Sequence, residues 1–539
     1  MSLTPDPDWW RGAVIYQIYP RSYQDKNGDG IGDLAGIIDR LEYVAGLGVD
    51  AIWISPFFPS PMKDFGYDVT DYRGVDPMFG TLADFDALTA RAHALGLRVM
   101  IDLVLSHTSD QHPWFDESRS SRDNAKADWY VWADPKPDGT PPNNWLSIFG
   151  GSAWAWDGVR MQYYLHNFLK EQPDLNFHSR DVQDALLEVV GFWLDKGVDG
   201  FRLDTVNFYV HDQELRDNPA LRPEDRNATT APAVNPYNFQ EHLFSKNRPE
   251  NLVFLERLRA VLDTWPDITT LGEVGESHHA MQVMADYTSG TNRLHMCYAF
   301  DLLGPEPLGG GRAGGVLAET EAKLPEGWPC YALSNHDTVR MPTRFGLDTR
   351  GVKLHMAFLF SVKGSVCLYQ GEELGLTEAY VPFEALQDPY GKAFWPKFKG
   401  RDGARTPMPW VAQSPYGGFS DATPWLPMPS EHLASAVDRQ EGEEDSLLHW
   451  TRALIALRAG RPCLRKGTLT MVDAGGAVAF LRRLEGHPPV FCAFNFSDSP
   501  VRVSLPEGTW TEIGDLGFQA VLEDGHVTLP SGDAVLAEG

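Results

Sequence analysis

Three carboxylates draw attention by where they fall. Asp204 ends the run VDGFRLD (198–204), Glu273 sits near the end of TTLGEV (269–274), and Asp337 ends CYALSNHD (330–337). Arg202 precedes Asp204 by two residues, so on an extended strand both side chains leave on the same face. A guanidinium so placed lowers an aspartate's pKa and keeps it ionised, as a nucleophile requires. Glu273 follows TTLG and is expected to be poorly solvated. Burial and a neighbouring carboxylate raise a carboxyl's pKa, as a general acid requires. One ionised and one protonated carboxyl, about 5–5.5 Å apart, are what retaining cleavage of a glycosidic bond needs. Asp102 and His107 at the end of LRVMIDLVLSH (97–107), and Asn335 and His336 beside Asp337, add further polar groups. The two histidines can donate hydrogen bonds to sugar hydroxyls. A lone acid at a strand end is an ordinary loop cap. Acids, Arg and His converging from four strands would cost stability without a use.

Such convergence needs elements that deliver each residue to one rim. Eight short apolar runs read as strands: 14–20, 50–56, 97–107, 198–204, 269–274, 295–300, 330–337 and 365–370. Amphipathic helix patterns such as 33–48, 82–96, 181–197 and 248–265 lie between them. Strand then helix, repeated, predicts an α/β fold, a (β/α)8 barrel whose catalytic residues stand at the C-terminal strand ends. Residues 1–107 and 177–462 form that barrel. Residues 108–176, rich in Pro, Asp, Asn and Trp, are too long for a plain loop and predict a small inserted domain after the third strand. A second insertion, 207–247, follows the fourth strand. The helix 446–460 closes the barrel, and the short alternating runs in 463–539 predict a C-terminal antiparallel β-sandwich domain.

Composition narrows the partners. With 46 Lys+Arg against 74 Asp+Glu, a net charge of -28 argues against nucleic acid and anionic membranes. A small neutral sugar suits it better. The 43% hydrophobic content is enough for a large core. Cys297, Cys330, Cys367, Cys463 and Cys492 are scattered with no CxxC, which reads as reduced buried thiols and a cytoplasmic setting. The start MSLTPDPDWWRG has no apolar core, and no run reaches about 18 apolar residues, so neither a secretory signal nor a membrane span is expected. A monomer or homodimer is expected.

The blocks around these residues resemble those of the α-glucosidases of the α-amylase family, in the oligo-1,6-glucosidase-like branch, over nearly the whole chain from Trp9. DLVLSH (102–107) is similar to the family's DxVxNH block, with Ser106 in place of the usual Asn. GFRLD (200–204), GEV (272–274) and SNHD (334–337) resemble the blocks of the nucleophile, the acid/base and the transition-state-stabilising aspartate. QPDLN (172–176) has the form this branch uses. The resemblance implies an exo-acting retaining α-glucosidase with Asp204 as nucleophile, Glu273 as acid/base and Asp337 in support. It implies that Asp64 of DFGYD (64–68) binds the outermost hydroxyls of the terminal glucose while Tyr67 stacks on its ring. Arg405 of GRDGARTPMPW (400–410) would pair with Asp64 and wall off the site, with Phe149 and Phe168 lining the same pocket. Thr205 goes with α-1,4 preference in similar enzymes and Val with α-1,6, so maltose-like substrates are expected. Phe300 would shape the first acceptor subsite. The glucosyl group on Asp204 can pass to water or to an acceptor hydroxyl. Alternatives are an oligo-1,6-glucosidase, a sucrose-acting enzyme or a sucrose/maltose isomerase with the same rim. A non-catalytic relative would have lost a carboxylate or gained a membrane anchor.

No cofactor is needed for this chemistry. DKNGDGIGD (25–33), just after the first strand, places Asp25, Asn27, Asp29 and Asp33 at positions 1, 3, 5 and 9 of an oxygen-rich loop, with the Ile31 carbonyl at 7. Position 12 is Gly36, so this is not an EF-hand. A structural divalent cation, Ca²⁺ or Mg²⁺, is expected there, against the alternative of a metal-free Asx/Gly turn.

Overall fold

A computed structural model describes residues 3–539. Met1 and Ser2, the first residues of the expected barrel range, lie outside them. Eight parallel strands form one sheet: Val14–Ile18, Ala51–Ile54, Arg98–Leu103, Gly200–Leu203, Thr269–Val274, Met296–Ala299, Cys330–Ala332 and Ser365–Tyr369. The ring closes where Cys297 bridges Pro329 in parallel fashion. These are the eight runs picked out by the sequence. Alternation explains what they deliver. Ile15, Trp53, Met100, Leu271 and Met296 face the barrel interior and pack together, with Trp9, Trp10 and Trp328 at its N-terminal end. Two residues beyond Met100, Gly200 and Leu271 on the same faces come Asp102, Arg202 and Glu273, so the period of two places charge directly above an apolar floor.

The helices around the ring begin and end on local signals. Asp33 caps Leu34–Leu47 by accepting from the Gly36 amide, and the helix stops at Gly48, at φ 86°. Thr81 and Asp84 form a reciprocal capping box for Leu82–Ala94, and such a cap contributes about 1 kcal/mol. Val14, Tyr16, Ile52 and Val99 point outward into the core these helices share.

After the third strand the chain leaves the barrel. It builds a three-stranded antiparallel sheet from Trp132–Ala133, Trp154–Asp157 and Gln162–Leu165, packed on Trp145 and Ala153. It returns where Asp174 bridges His107. At the C-terminus, Thr468–Val472, Val478–Arg483, Val490–Asn495, Asp533–Glu538 and Thr511–Glu512 form one antiparallel sheet. Val501–Ser504, His526–Leu529 and Val521–Glu523 form a second. Leu481, Phe491, Val503 and Val527 fill the space between them. The other face of the larger sheet, through Val478, Phe480 and Phe494, belongs to the same core as the barrel helices. Buried Arg482 stitches the junction by donating to the Ser361 and Gly467 carbonyls. All five cysteines are buried and free, with Cys330 Sγ 3.6 Å from Cys367 Sγ. No helix among the described residues is long and apolar enough to cross a membrane.

Candidate active site

A cavity of about 580 Å³ opens at the C-terminal ends of the strands. Ten of the expected residues line it: Asp64, Tyr67, His107, Phe149, Phe168, Asp204, Thr205, Glu273, Phe300 and Asp337. Arg202, His336 and Arg405 lie just beneath, fully buried, and bond the groups that line it. Gln172, Phe208, Tyr390 and Arg401 also line the cavity, as does the stretch Ala228–Ala233 from the second insertion.

Arg202 organises the floor. Its Nη1 lies 2.6 Å from Asp204 and 2.7 Å from Asp102, and its Nη2 lies 2.5 Å from Glu273. One guanidinium thus holds both Asp204 and Glu273, the two carboxyls that a double displacement needs. Glu273 also accepts from the Tyr298 hydroxyl at 3.0 Å and the Thr205 amide at 3.1 Å. Burial pushes Glu273 up to about 7, against the pull of Arg202. Asp204 departs from expectation. Complete burial outweighs Arg202 and raises it to about 7 as well, because that single guanidinium is shared among three carboxyls. Burial thus raises Asp102, Asp204 and Glu273 together, against one guanidinium that serves all three.

Asp337 behaves oppositely. Burial alone would raise it, but His336, Arg401 and Arg405 hold it well below the usual carboxylate range. Burial lowers His336 to about 3, so at neutral pH the two guanidiniums keep Asp337 charged. Tyr67 joins the two sides of the floor. Its hydroxyl lies 3.1 Å from Asp102 and 2.6 Å from His336 Nε2, and its ring stacks on the His336 ring. His107, lowered to about 4 by burial, is neutral.

The partner expected for Asp64 needs correction. Arg401, not Arg405, pairs with Asp64, at 2.7 Å, and the same guanidinium binds Asp388 at 2.8 Å and Asp337 at 3.1 Å. Arg405 turns under the cavity, where its Nε donates to the His336 carbonyl and its Nη2 to Asp337, both at 2.7 Å. A one-turn 3-10 helix, Asp402–Ala404, separates the two arginines and sends them in different directions. Arg401 was the main functional residue that sequence reasoning missed, although it stands in the same motif. Gln172, in QPDLN, is fixed by the Leu169 amide and donates to Asp64 at 3.2 Å.

The loop 25–33 brings its oxygens together but uses them locally. Asp25 accepts from the Gly28 and Gly30 amides, Asp29 from Ile31, Asn27 from Asp29, and Asp33 from Lys26, Asn27 and Gly36. No cluster of three His, Cys, Asp or Glu side chains set for a metal occurs among the described residues. Asp33 Oδ2 and Asp25 Oδ2 each accept twice, but Asp25 Oδ1, Asp29 Oδ1 and Asp33 Oδ1 accept once and keep a lone pair, and the Ile31 carbonyl adds another oxygen, so the chemistry of the set suits a hard cation.

A parallel barrel carrying two buried carboxyls on one guanidinium at its C-terminal rim has the parts of a glycosyl-transfer site. The comparisons place the chain more narrowly. The family model for the alpha amylase catalytic domain matches residues 17–467, and the chain belongs to that family. A relative described as a probable alpha-glucosidase, from Rhizobium meliloti (strain 1021), is 61% identical over 99% of this chain and 98% of its own. An oligo-1,6-glucosidase from Heyndrickxia coagulans is 37% identical over 93% of this chain and 95% of its own. The crystal structure of the alpha-glucosyl transfer enzyme XgtA superposes with a TM-score of 0.96 at 54% identity, covering 99% of this chain and all of that one.

Proposed function

We propose that this chain is an exo-acting retaining α-glucosidase that releases or transfers terminal α-D-glucose from short α-glucosides, with maltose-like α-1,4 linkages preferred. The observation that carries the reading is the closed end of the cavity. Arg401, bound to Asp64 at 2.7 Å and to Asp388 at 2.8 Å, lines the same cavity as Asp204 and Glu273, and this ion-paired wall supports a site that takes a single terminal sugar. In the first step Glu273 protonates the glycosidic oxygen while Asp204 attacks the anomeric carbon, forming a β-linked glucosyl-enzyme. Glu273, now ionised, takes a proton from water or an acceptor hydroxyl, which attacks from the opposite face and yields an α-product. Asp337, kept charged by its two arginines, holds sugar hydroxyls and stabilises the cationic transition state. Tyr67, His107, Phe149 and Phe168 surround the bound glucose, and Thr205 and Phe300 face the acceptor end. The names of the relatives support both hydrolysis and transfer.

The test is a panel of maltose, isomaltose, sucrose, maltotriose and starch with products resolved early. Maltose is expected to exceed isomaltose and starch, and proton NMR should show α-glucose first. A β-anomer first, or starch cleaved as fast as maltose, would overturn the reading.

The loop 25–33 is proposed to take Ca²⁺ or Mg²⁺ through Asp25, Asn27, Asp29, Asp33 and the Ile31 carbonyl, with a purely structural role. Because the loop adjoins the Asp33 cap, calcium should raise Tm by a few degrees over chelator-treated protein, while kcat is unchanged where both remain folded. Equal Tm in calcium and chelator would remove the ion. The five buried free thiols support a reducing, cytoplasmic compartment, and a monomer or homodimer remains the proposed state.

A further inference from the structure

Thr205 stands in the left-handed region, at φ 39° and ψ 47°. A β-branched side chain there is strained, and strain kept beside a nucleophile points to a use. In this conformation the Thr205 amide donates to Glu273 Oε2 at 3.1 Å, and its hydroxyl reaches Asp204 Oδ2 at 3.2 Å. One residue therefore touches both central carboxyls. The hydroxyl has another neighbour, Ser106 Oγ at 3.2 Å, and Ser106 Oγ lies 2.9 Å from His107 Nδ1. Ser106 is buried.

The direction of this chain follows from its far end. Neutral His107 carries one ring proton. Its Nε2 lies 3.1 Å from Gln172 Nε2 and 3.0 Å from the Tyr67 carbonyl. The Gln172 amide is oriented by Leu169, whose amide donates to Oε1 at 2.9 Å, so Gln172 must present N–H to His107. Nε2 then accepts, at the cost of the Tyr67 carbonyl contact, which only the other tautomer satisfies. The Asp204 end requires the same choice, because the Thr205 hydroxyl gives its proton to the carboxylate, so Ser106 must donate to Thr205 and Nδ1 must carry the ring proton. From there every donor points one way: Nδ1–H to Ser106 Oγ, the Ser106 hydroxyl to Thr205 Oγ1, and the Thr205 hydroxyl to Asp204 Oδ2.

We propose that Ser106 is a positioning residue for the reaction. Through the Thr205 hydroxyl it fixes Asp204 Oδ2 as an aimed, charged acceptor and holds Thr205 in the conformation that also serves Glu273. The inference rests on the glucosyl-transfer reading of the site. Asp204 also faces Arg202 on its own strand, Asp102 on the third strand and Asp337 at the seventh. It faces Glu273 on the fifth strand and the Tyr67 and Tyr209 phenols as well. A Ser106 substitution alters none of these, so a change in Asp204 titration reports the hydroxyl chain.

The test compares Ser106→Ala, Thr205→Val and their combination. One readout is the pH profile of aryl α-glucoside turnover. The other is labelling of Asp204 by a glucose-configured cyclitol epoxide, read by intact mass, which works whatever glucoside is the natural substrate. Ser106→Ala should lower kcat about tenfold with KM nearly unchanged, and move the acid limb of both profiles up by about half a pH unit. Ser106→Asn, the residue of the family motif, keeps a donor and should restore both. In the Thr205→Val background Ser106→Ala should add little, because it acts through that hydroxyl. Ser106→Cys keeps the volume while weakening the donor; it should reproduce the shift at unchanged Tm if the alanine variant folds poorly. An unmoved acid limb, or losses that simply add, overturns the proposal. Labelling of the parent without glucoside turnover would overturn the substrate reading alone, and the labelling profiles would still decide the role of Ser106.

Discussion

Glutamine in place of Glu273 should cut maltose turnover by about 10³-fold while leaving the unfolding curve in place. The amide fills the same space and keeps bonds to Tyr298 and Arg202 side chains in reach, but it carries no transferable proton. Two features make the expectation specific. An aryl glucoside with a good leaving group needs little acid help, so the first step should survive and the glucosyl-enzyme accumulate. Added azide, which needs no base, should then restore turnover as the α-glucosyl azide. In the parent, Asp204 and Glu273 are each pushed up to about 7 by burial. The working form carries one proton. Rising pH removes it from the acid, and falling pH adds a second to the nucleophile, so kcat/KM should be bell-shaped, and the variant should lose the basic limb. Stability has its own sign. Both folded pKa values are raised, so the contribution is present below the ordinary carboxylate range and is lost as pH rises through about 7. Glu273→Gln removes one such group and should flatten that decline in a Tm-versus-pH series. Near-normal maltose turnover by this variant would sink the assignment.

The second large effect is expected at Arg401. Alanine there leaves Asp64 and Asp388 buried without their shared cation, a loss of about 3–5 kcal/mol for such a pair. Tm should fall clearly, and kcat/KM for maltose by about 10²-fold, mostly through KM because the lost contacts bind the terminal sugar. With the end wall opened, maltotriose should gain on maltose. Arg405→Ala makes the contrast. Its partners are the His336 carbonyl and Asp337 from below, so it should lower kcat while leaving chain-length preference unchanged. Measuring both variants on maltose and maltotriose distinguishes the two arginines; the same chain-length shift from Arg405→Ala would contradict their assignment.

The distance between those two residues shows how far the sequence could be read. The barrel was legible because each strand is a short apolar run with a polar end, and alternation alone puts Asp102, Arg202 and Glu273 on the inner face. The rim residues came with it. The choice between Arg401 and Arg405 was not legible. Both lie in one motif, four positions apart, and only the turn at Asp402–Ala404 decides which one reaches Asp64. The charge state of Asp204 is not legible in the sequence for a related reason. Sequence showed the arginine beside it but not that Asp102 and Glu273 draw on the same guanidinium. Ser106 was noticed as a departure from the family block, yet its hydroxyl matters only once the left-handed turn at Thr205 brings the two together.

The junction at the C-terminus bears on how such a protein can be cut and recombined. The match to the catalytic-domain model ends at residue 467, which invites the view that a self-sufficient engine ends there and an accessory begins. The shared core says otherwise. Phe480 and Phe494 pack where barrel helices would otherwise face water, and Arg482 crosses the border to bond Ser361. A border drawn by resemblance is here not a seam in the material. The last sheet serves as the outer skin of the catalytic body, and swapping it between relatives would mean regrafting an interior surface rather than exchanging a part.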